Sequence, residues 1–430
     1  MAGSIGIDVQ DSRTAITLLE TSAGGVSTAA VGDGYRPLVP HAWTAQAWGS
    51  PAAEAVLAAA GAPAASAGED EDQGQLPDAA RLCELLFSWR RDPWADGFLN
   101  GLARRLDAYT GRTPLLAGTY QLGVCAAPGT PDRAAAAQRC ESAGLPAPQF
   151  VDPADALLCR WLADAAAAGG QIRPPASSSV IAVACGGDYT LARAYLVSAS
   201  GRGFVVQAGR ESRIAAGTAA LGAAVAGDVL ARCRPGVPPP ALLALLDGVL
   251  EYAAAIRTRR SAAADWSGPL AEYLFTPLRL TAGELADRPE AAGLRQFLAT
   301  EPGRLSPGDP PAVIVVGGPG AAWPFAADWA GVTGPVWQSL EPELDLSIGA
   351  SWWPLLRRAF AVADAPGPAA QLTGAAWSPG HPDAAGTGRA DGETAGEDAG
   401  DGYEKYDADT DLDSDWRPEP YGTEVPPWPS

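Results

Sequence analysis

Lysine is almost missing from this chain: Lys405 is the only one in 430 residues, and arginine carries the rest of the positive charge. Chemistry that needs a cation anywhere earlier in the chain must therefore use a guanidinium. Histidine occurs only at His41 and His381, and no carboxylate cluster has metal-ligand spacing, so no protein-ligated transition metal is expected. The six cysteines (Cys83, Cys125, Cys140, Cys159, Cys185, Cys233) form no C-x-x-C pair and sit singly in apolar surroundings. That pattern reads as reduced, buried thiols and excludes a disulfide framework or zinc site. No apolar run approaches the roughly 18–20 residues of a spanning helix. The opening Met1-Ala2-Gly3-Ser4-Ile5 lacks the basic and apolar regions of a signal peptide. A cytoplasmic protein without a membrane span is the expectation.

What is present is alanine, glycine, proline and acid. The length suits two or three compact domains with full cores. The formal net charge is −20, and its distribution matters more than its size: residues 365–430 hold 14 Asp/Glu against 3 Lys/Arg. In that stretch apolar periodicity vanishes and Pro, Gly, Asp and Glu prevail, the composition of a disordered acidic tail. So acidic a segment disfavours nucleic acid and anionic membrane and favours a basic protein surface as partner. Tyr403, Tyr406, Trp416 and Trp428 interleave aromatics with the acids and prolines. Solvation alone needs no aromatics, so a partner-binding segment stands beside the plain reading of a solubilising tail.

Three apolar, β-rich runs end at residues suited to tight turns and close ligand approach. They are Ile5-Gly6-Ile7-Asp8, Val180 to Gly186-Gly187, and Val313 to Gly317-Gly318. Around them the patterning predicts a hairpin over 4–9 and 14–19 with Gln10-Asp11-Ser12-Arg13 as its turn. A surface insertion is expected over 51–80, a helix over 79–109, and then a βαβα unit over 122–167. A second hairpin is read at 179–185 and 189–198, followed by a strand at 203–208 and helices near 216–232, 239–258 and 281–299. The last of these opens on a capping box at Thr281 to Glu284. Strand 312–316 and helix 346–362 close the globular part. The likeness of 4–19 to 180–198 suggests two related lobes.

In order and spacing, residues 4–363 resemble the nucleotide-binding domain of Hsp70-type chaperones, of the actin-like ATPase superfamily. Gly6-Ile7-Asp8 stands where the family's first phosphate loop starts, and Cys185-Gly186-Gly187 resembles the second loop. Val151-Asp152-Pro153-Ala154 looks like the segment leading into the family's Glu-Pro-Thr-Ala-Ala helix. Arg257 to Ser261 looks like the helix lying against adenosine. Gly317-Gly318 and Ser347-Ile348-Gly349-Ala350 resemble the Gly-Gly-Ser turn and the closing helix. The resemblance implies an α/β, two-lobed fold of duplicated ribonuclease-H-like domains. Its first lobe would span 1–176, its second lobe 177–345, and a closing helix returning to the first lobe 346–364, with 365–430 as the tail. It implies ATP or ADP with Mg²⁺ as cofactor, held by Gly6, Asp8, Ser12, Gly186, Gly187, Arg257, Ser261, Gly317, Gly318 and Gly349. Asp8 and Asp152 would be the catalytic candidates. The family's substrate-binding domain has no counterpart here.

The departures bear on function. Gln10 replaces a small residue of the first loop, and Asp11 sets a carboxylate where phosphate oxygens would sit. The family's Asp before the second glycine pair is Val183 here, its Thr after them is Asp188, and the lysine that stabilises spreading phosphoryl charge has no equivalent. The expected function is therefore a chaperone-like or adaptor protein with degenerate phosphate loops and weak or absent ATP turnover. An active, divergent ATPase using arginine for lysine is the alternative, and a small-molecule kinase using Asp188 a second one. Plainer readings stand beside each residue. Asp8 could cap a turn, the glycine pairs could serve tight turns, Arg257 and Ser261 could lie on a solvated face, and Trp89 and Trp352-Trp353 could be packing residues.

Overall fold

A computed structural model describes residues 3–10, 13–22, 25–32, 38–40, 93–110, 120–126, 133–167, 177–200, 203–235, 242–259, 263–306 and 310–361. The chain divides into two compact units, Met1–Pro382 and Asp383–Ser430, and every described residue belongs to the first. Ser12, Ser261, the 51–80 insertion, the 79–92 part of the predicted helix, Trp89 and all four tail aromatics lie outside the described residues.

The fold is mixed α/β, with two six-stranded mixed sheets. The first is built from β1 (Gly3–Val9), β2 (Arg13–Ser22), β3 (Gly25–Ala30) and β4 (Leu38–Pro40). After helix α1 (Pro93–Thr110) come β5 (Tyr120–Cys125), α2 (Arg133–Ser142), β6 (Pro148–Val151) and α3 (Pro153–Ala167). Its order is β3-β2-β1-β5-β6, antiparallel across β3-β2-β1 and parallel across β1-β5-β6, with β4 paired to β2.

The second half opens with β7 (Ser177–Cys185), β8 (Thr190–Ser200) and β9 (Gly203–Ile214), followed by α4 (Ala219–Arg232) and α5 (Leu242–Arg259). A two-stranded ribbon, β10 (Ala264–Asp265) with β11 (Arg279–Leu280), precedes α6 (Ala282–Ala286) and α7 (Ala292–Leu305). Then come β12 (Val313–Gly317), α8 (Ala326–Ala330), β13 (Val336–Trp337), α9 (Asp345–Leu356) and β14 (Phe360–Ala361). The sheet order is β13-β12-β7-β8-β9-β14. Here too a three-stranded antiparallel meander, β9-β8-β7, is extended by two parallel strands, β12 and β13. The two sheets repeat one pattern.

Each half passes its last helix to the other. Helix α3 follows the final strand of the first sheet but packs on β7, β8 and β12. Helix α9 follows β13 of the second sheet but packs on β1, β2 and β5, and against α3. The residues explain the close approach. Along β1 the side chains alternate: Ile5 and Ile7 join the core with Phe98, Leu99 and Leu102 of α1, while Ser4, Gly6 and Asp8 lie on the other face. A methyl group on Gly6 would overlap the Ser347 carbonyl, one on Gly123 the Ala350 carbonyl, and one on Gly349 the Ala156 carbonyl. Helix α9 therefore rests backbone to backbone on the first sheet and on α3. Ser4 donates to the Ser351 carbonyl, and the Thr17 and Ser347 hydroxyls meet at 2.8 Å. These bonds satisfy polar groups that are fully buried.

Some predicted boundaries shift for identifiable reasons. The single helix expected over 281–299 is two, because Pro289 cannot continue α6 and a 3-10 turn over Pro289–Ala291 intervenes. The helix expected over 346–362 ends at Leu356, and Phe360–Ala361 pairs with β9 instead. Strand β9 runs on to Ile214, past the expected 208. Cys125, Cys140, Cys159 and Cys185 are buried free thiols and Cys233 is half-buried. Among the described residues no helix is long and apolar enough to cross a membrane.

Candidate functional site

The three turns singled out in the sequence meet, and one segment joins them. This strap, residues 338–345, connects β13 to α9 and is tied at five points. The Gln338 amide donates to the Ala321 carbonyl at 2.6 Å, and Arg257 of α5 donates to the Leu340 carbonyl at 2.8 Å. The backbone N–H of Gly318 donates to the Pro342 carbonyl at 2.9 Å, and the Gln10 amide donates to the Glu343 carbonyl at 2.7 Å. At its end Asp345 pairs with Arg160 of α3 at 3.4 Å. The second turn joins through the third: Gly318 and Gly320 lie against the Cys185 carbonyl, and Gly320 also against that of Gly186.

Three backbone amides of these turns are bonded within the protein. The N–H of Gln10 bonds to the Arg13 carbonyl, that of Gly186 to Tyr189, and that of Gly318 to Pro342. The Gly186 and Gly187 carbonyls accept from Thr218 and Ala219 at the start of α4. The Tyr189 ring covers Gly186, and Leu157 and Asp345 crowd Gly317. Gly318 has φ +93°, so its turn uses a backbone conformation natural to glycine. Gly6 and Gly349, also expected to face nucleotide, are the packing contacts of α9 with β1 and α3 described above.

Two buried carboxyls lie at the junction. Asp8 is 4% exposed and accepts from Gln10 at 3.0 Å. Burial pushes its carboxyl up to about 7, against the opposing hydrogen bonds of Gln10 and Cys125. Asp345, fully buried at the first turn of α9, is likewise raised to about 7 by burial, which outweighs the pull of Arg160. Asp188 is exposed at the tip of the second turn.

Asp152 begins α3, with Pro153 at the first helical position, where its missing N–H costs nothing. One carboxylate oxygen accepts from the Ala154 N–H at 2.9 Å, and the other pairs with Arg193 of β8 at 3.1 Å. Arg193 also pairs with Asp155 at 3.0 Å and with Glu211, and Tyr195 donates to Asp155 at 2.6 Å. Three carboxylates thus share one guanidinium. Desolvation raises Asp152 to about 6 although Arg193 opposes it, while the surrounding acids hold Arg193 firmly charged.

The structure therefore gathers Asp8, Gly186, Gly187, Gly317 and Gly318 around the strap, with Arg257 tied to it, and places Asp152 in a separate ionic cluster between α3 and the second sheet. Sequence reasoning missed the strap, the bridging role of Gln10 and the Arg193 cluster. Among the described residues no group of three His, Cys, Asp or Glu side chains is placed to hold a metal ion. The chain matches no protein-family model and no curated protein sequence.

Proposed function

We propose that this chain is an actin/Hsp70-like, two-lobed protein whose nucleotide cleft has lost its reactive groups. In this reading it works as a chaperone-like or adaptor scaffold with weak or absent ATP turnover. The repeated strand order and the exchange of α3 and α9 support the two-lobe reading. One observation carries the functional half: the three turns converge, yet the amides of Gln10, Gly186 and Gly318 are bonded within the protein. A phosphate cradle needs such donors aimed at its ligand. When ionised, the buried carboxyls at Asp8 and Asp345 add charge of the wrong sign for a polyphosphate. Arg193 is committed to Asp152, Asp155 and Glu211, which argues against its standing in for the absent lysine.

Function would then act through a protein partner, with the acidic, aromatic segment containing Tyr403, Tyr406, Trp416 and Trp428 as the contact and a basic surface as its complement. Isothermal titration of the full chain with ATP–Mg²⁺ tests the cleft. The expected result is binding weaker than about 1 mM and no measurable phosphate release. Micromolar binding with turnover that disappears in Asp8→Ala would instead establish an ATPase.

A further inference from the structure

We propose that Gln10 is a specificity-determining clamp. Its carboxamide joins the first turn to the strap and occupies the place where the oxygens of a nucleoside polyphosphate would have to bridge them. The inference rests on the nucleotide-cleft reading above.

The side chain is 6% exposed and joins positions 333 residues apart in sequence. Its orientation is fixed by its neighbours: the Asp8 carboxylate oxygen at 3.0 Å and the Glu343 carbonyl at 2.7 Å are both acceptors, so the NH₂ end must face them. The same amide thus fixes the Asp8 carboxyl and holds the strap down. The strap in turn holds Gly318 through the Pro342 carbonyl. A cleft that closes on its ligand needs the ligand to supply these links; here a side chain supplies them permanently.

The clamp also sets which ligand class is refused. The Gln10 Oε1 and a Glu343 carboxylate oxygen are buried acceptors with no hydrogen-bond partner among the described residues. Both repel an anionic oxygen, and both would accept a donor such as a hydroxyl or ammonium.

The test compares the full-length wild type with Gln10→Ala, using hydrogen exchange of residues 338–345 and titration with ATP–Mg²⁺. Loss of two buried hydrogen bonds should speed exchange in the strap by about tenfold. Removal of the plug should tighten ATP–Mg²⁺ binding by about tenfold, equivalent to ~1.4 kcal/mol. Unchanged strap exchange in a folded Gln10→Ala protein overturns the clamp. Faster exchange with no ATP–Mg²⁺ binding in either protein keeps the clamp as a structural latch but removes the nucleotide-cleft reading and, with it, the assigned specificity. Equal micromolar binding in both proteins keeps a nucleotide site and removes the clamp's role in specificity. Should Gln10→Ala fail to fold, Gln10→Asn keeps the carboxamide but is one methylene too short to hold both partners, and the same two readouts decide.

Discussion

The two sheets repeat one strand order but receive their exchanged helices by different physics. Helix α9 meets the first sheet through Gly6 and Gly123, with small residues such as Ser347, Ala350 and Ser351 on its surface, leaving no room for another carbon. Helix α3 meets the second sheet through larger side chains, among them Leu157, Trp161, Val180, Leu191 and Tyr195. The Arg193 cluster seals that contact at the helix start. The first contact is steric at Gly6 and Gly123. The second is partly electrostatic and adjustable. Gly6, Gly123 and Gly349 thus serve close backbone packing in this chain, while Asp8 and Asp152 are held in hydrogen-bonded and ionic structure.

The steric contact should break hardest. Gly6→Val or Gly349→Val forces α9 off the strands or off α3, and a loss of more than about 4 kcal/mol is expected; chemical denaturation, or failure to express soluble protein, reads it. Next is Arg193→Met, which strips the one cation from three carboxyls and should cost about 3–5 kcal/mol at pH 8. Because the folded-state Asp152 carboxyl is raised to about 6, it can neutralise in mild acid, so the loss should shrink at pH 5. An equal loss at both pH values would show that the cluster is mere packing.

The junction adds a pH term of its own. Asp8 and Asp345 bind protons more tightly folded, at about 7, than in the unfolded chain at the ordinary carboxyl value of 3.8. Their contribution is therefore fully present below about 4 and is lost as pH rises through 7, on the order of 2–4 kcal/mol for each group. Thermal melts should show Asp8→Asn losing less stability than wild type between pH 5 and pH 8. A parallel decline in both proteins would remove Asp8 from the account. The smallest effect belongs to the second half's surface. Thr281→Ala deletes the cap that Glu284 N–H donates to at 3.1 Å and should cost roughly 1 kcal/mol.

Much of this architecture is legible in the residues. The apolar runs ending at Asp8, Gly186 and Gly317 are the central strands, Asp152-Pro153 starts α3, and Thr281 to Glu284 forms the expected capping box. These are signals of local periodicity and end chemistry. Strands β3, β4 and β13 were not, because Gly25–Ala30 is small and polar and the other two span only Leu38–Pro40 and Val336–Trp337. The site divides the same way. Its turns are visible locally, but nothing in the Gln10 neighbourhood announces Glu343, and nothing near Asp152 announces Arg193. Those pairings exist only once the halves are assembled.

The most direct test follows the turn amides themselves. Hydrogen exchange read by NMR at Gln10, Gly186 and Gly318 should show all three protected in the free protein and unchanged when ATP–Mg²⁺ is added. Fast exchange at these amides that slows on adding nucleotide would contradict the claim that the protein has satisfied them itself.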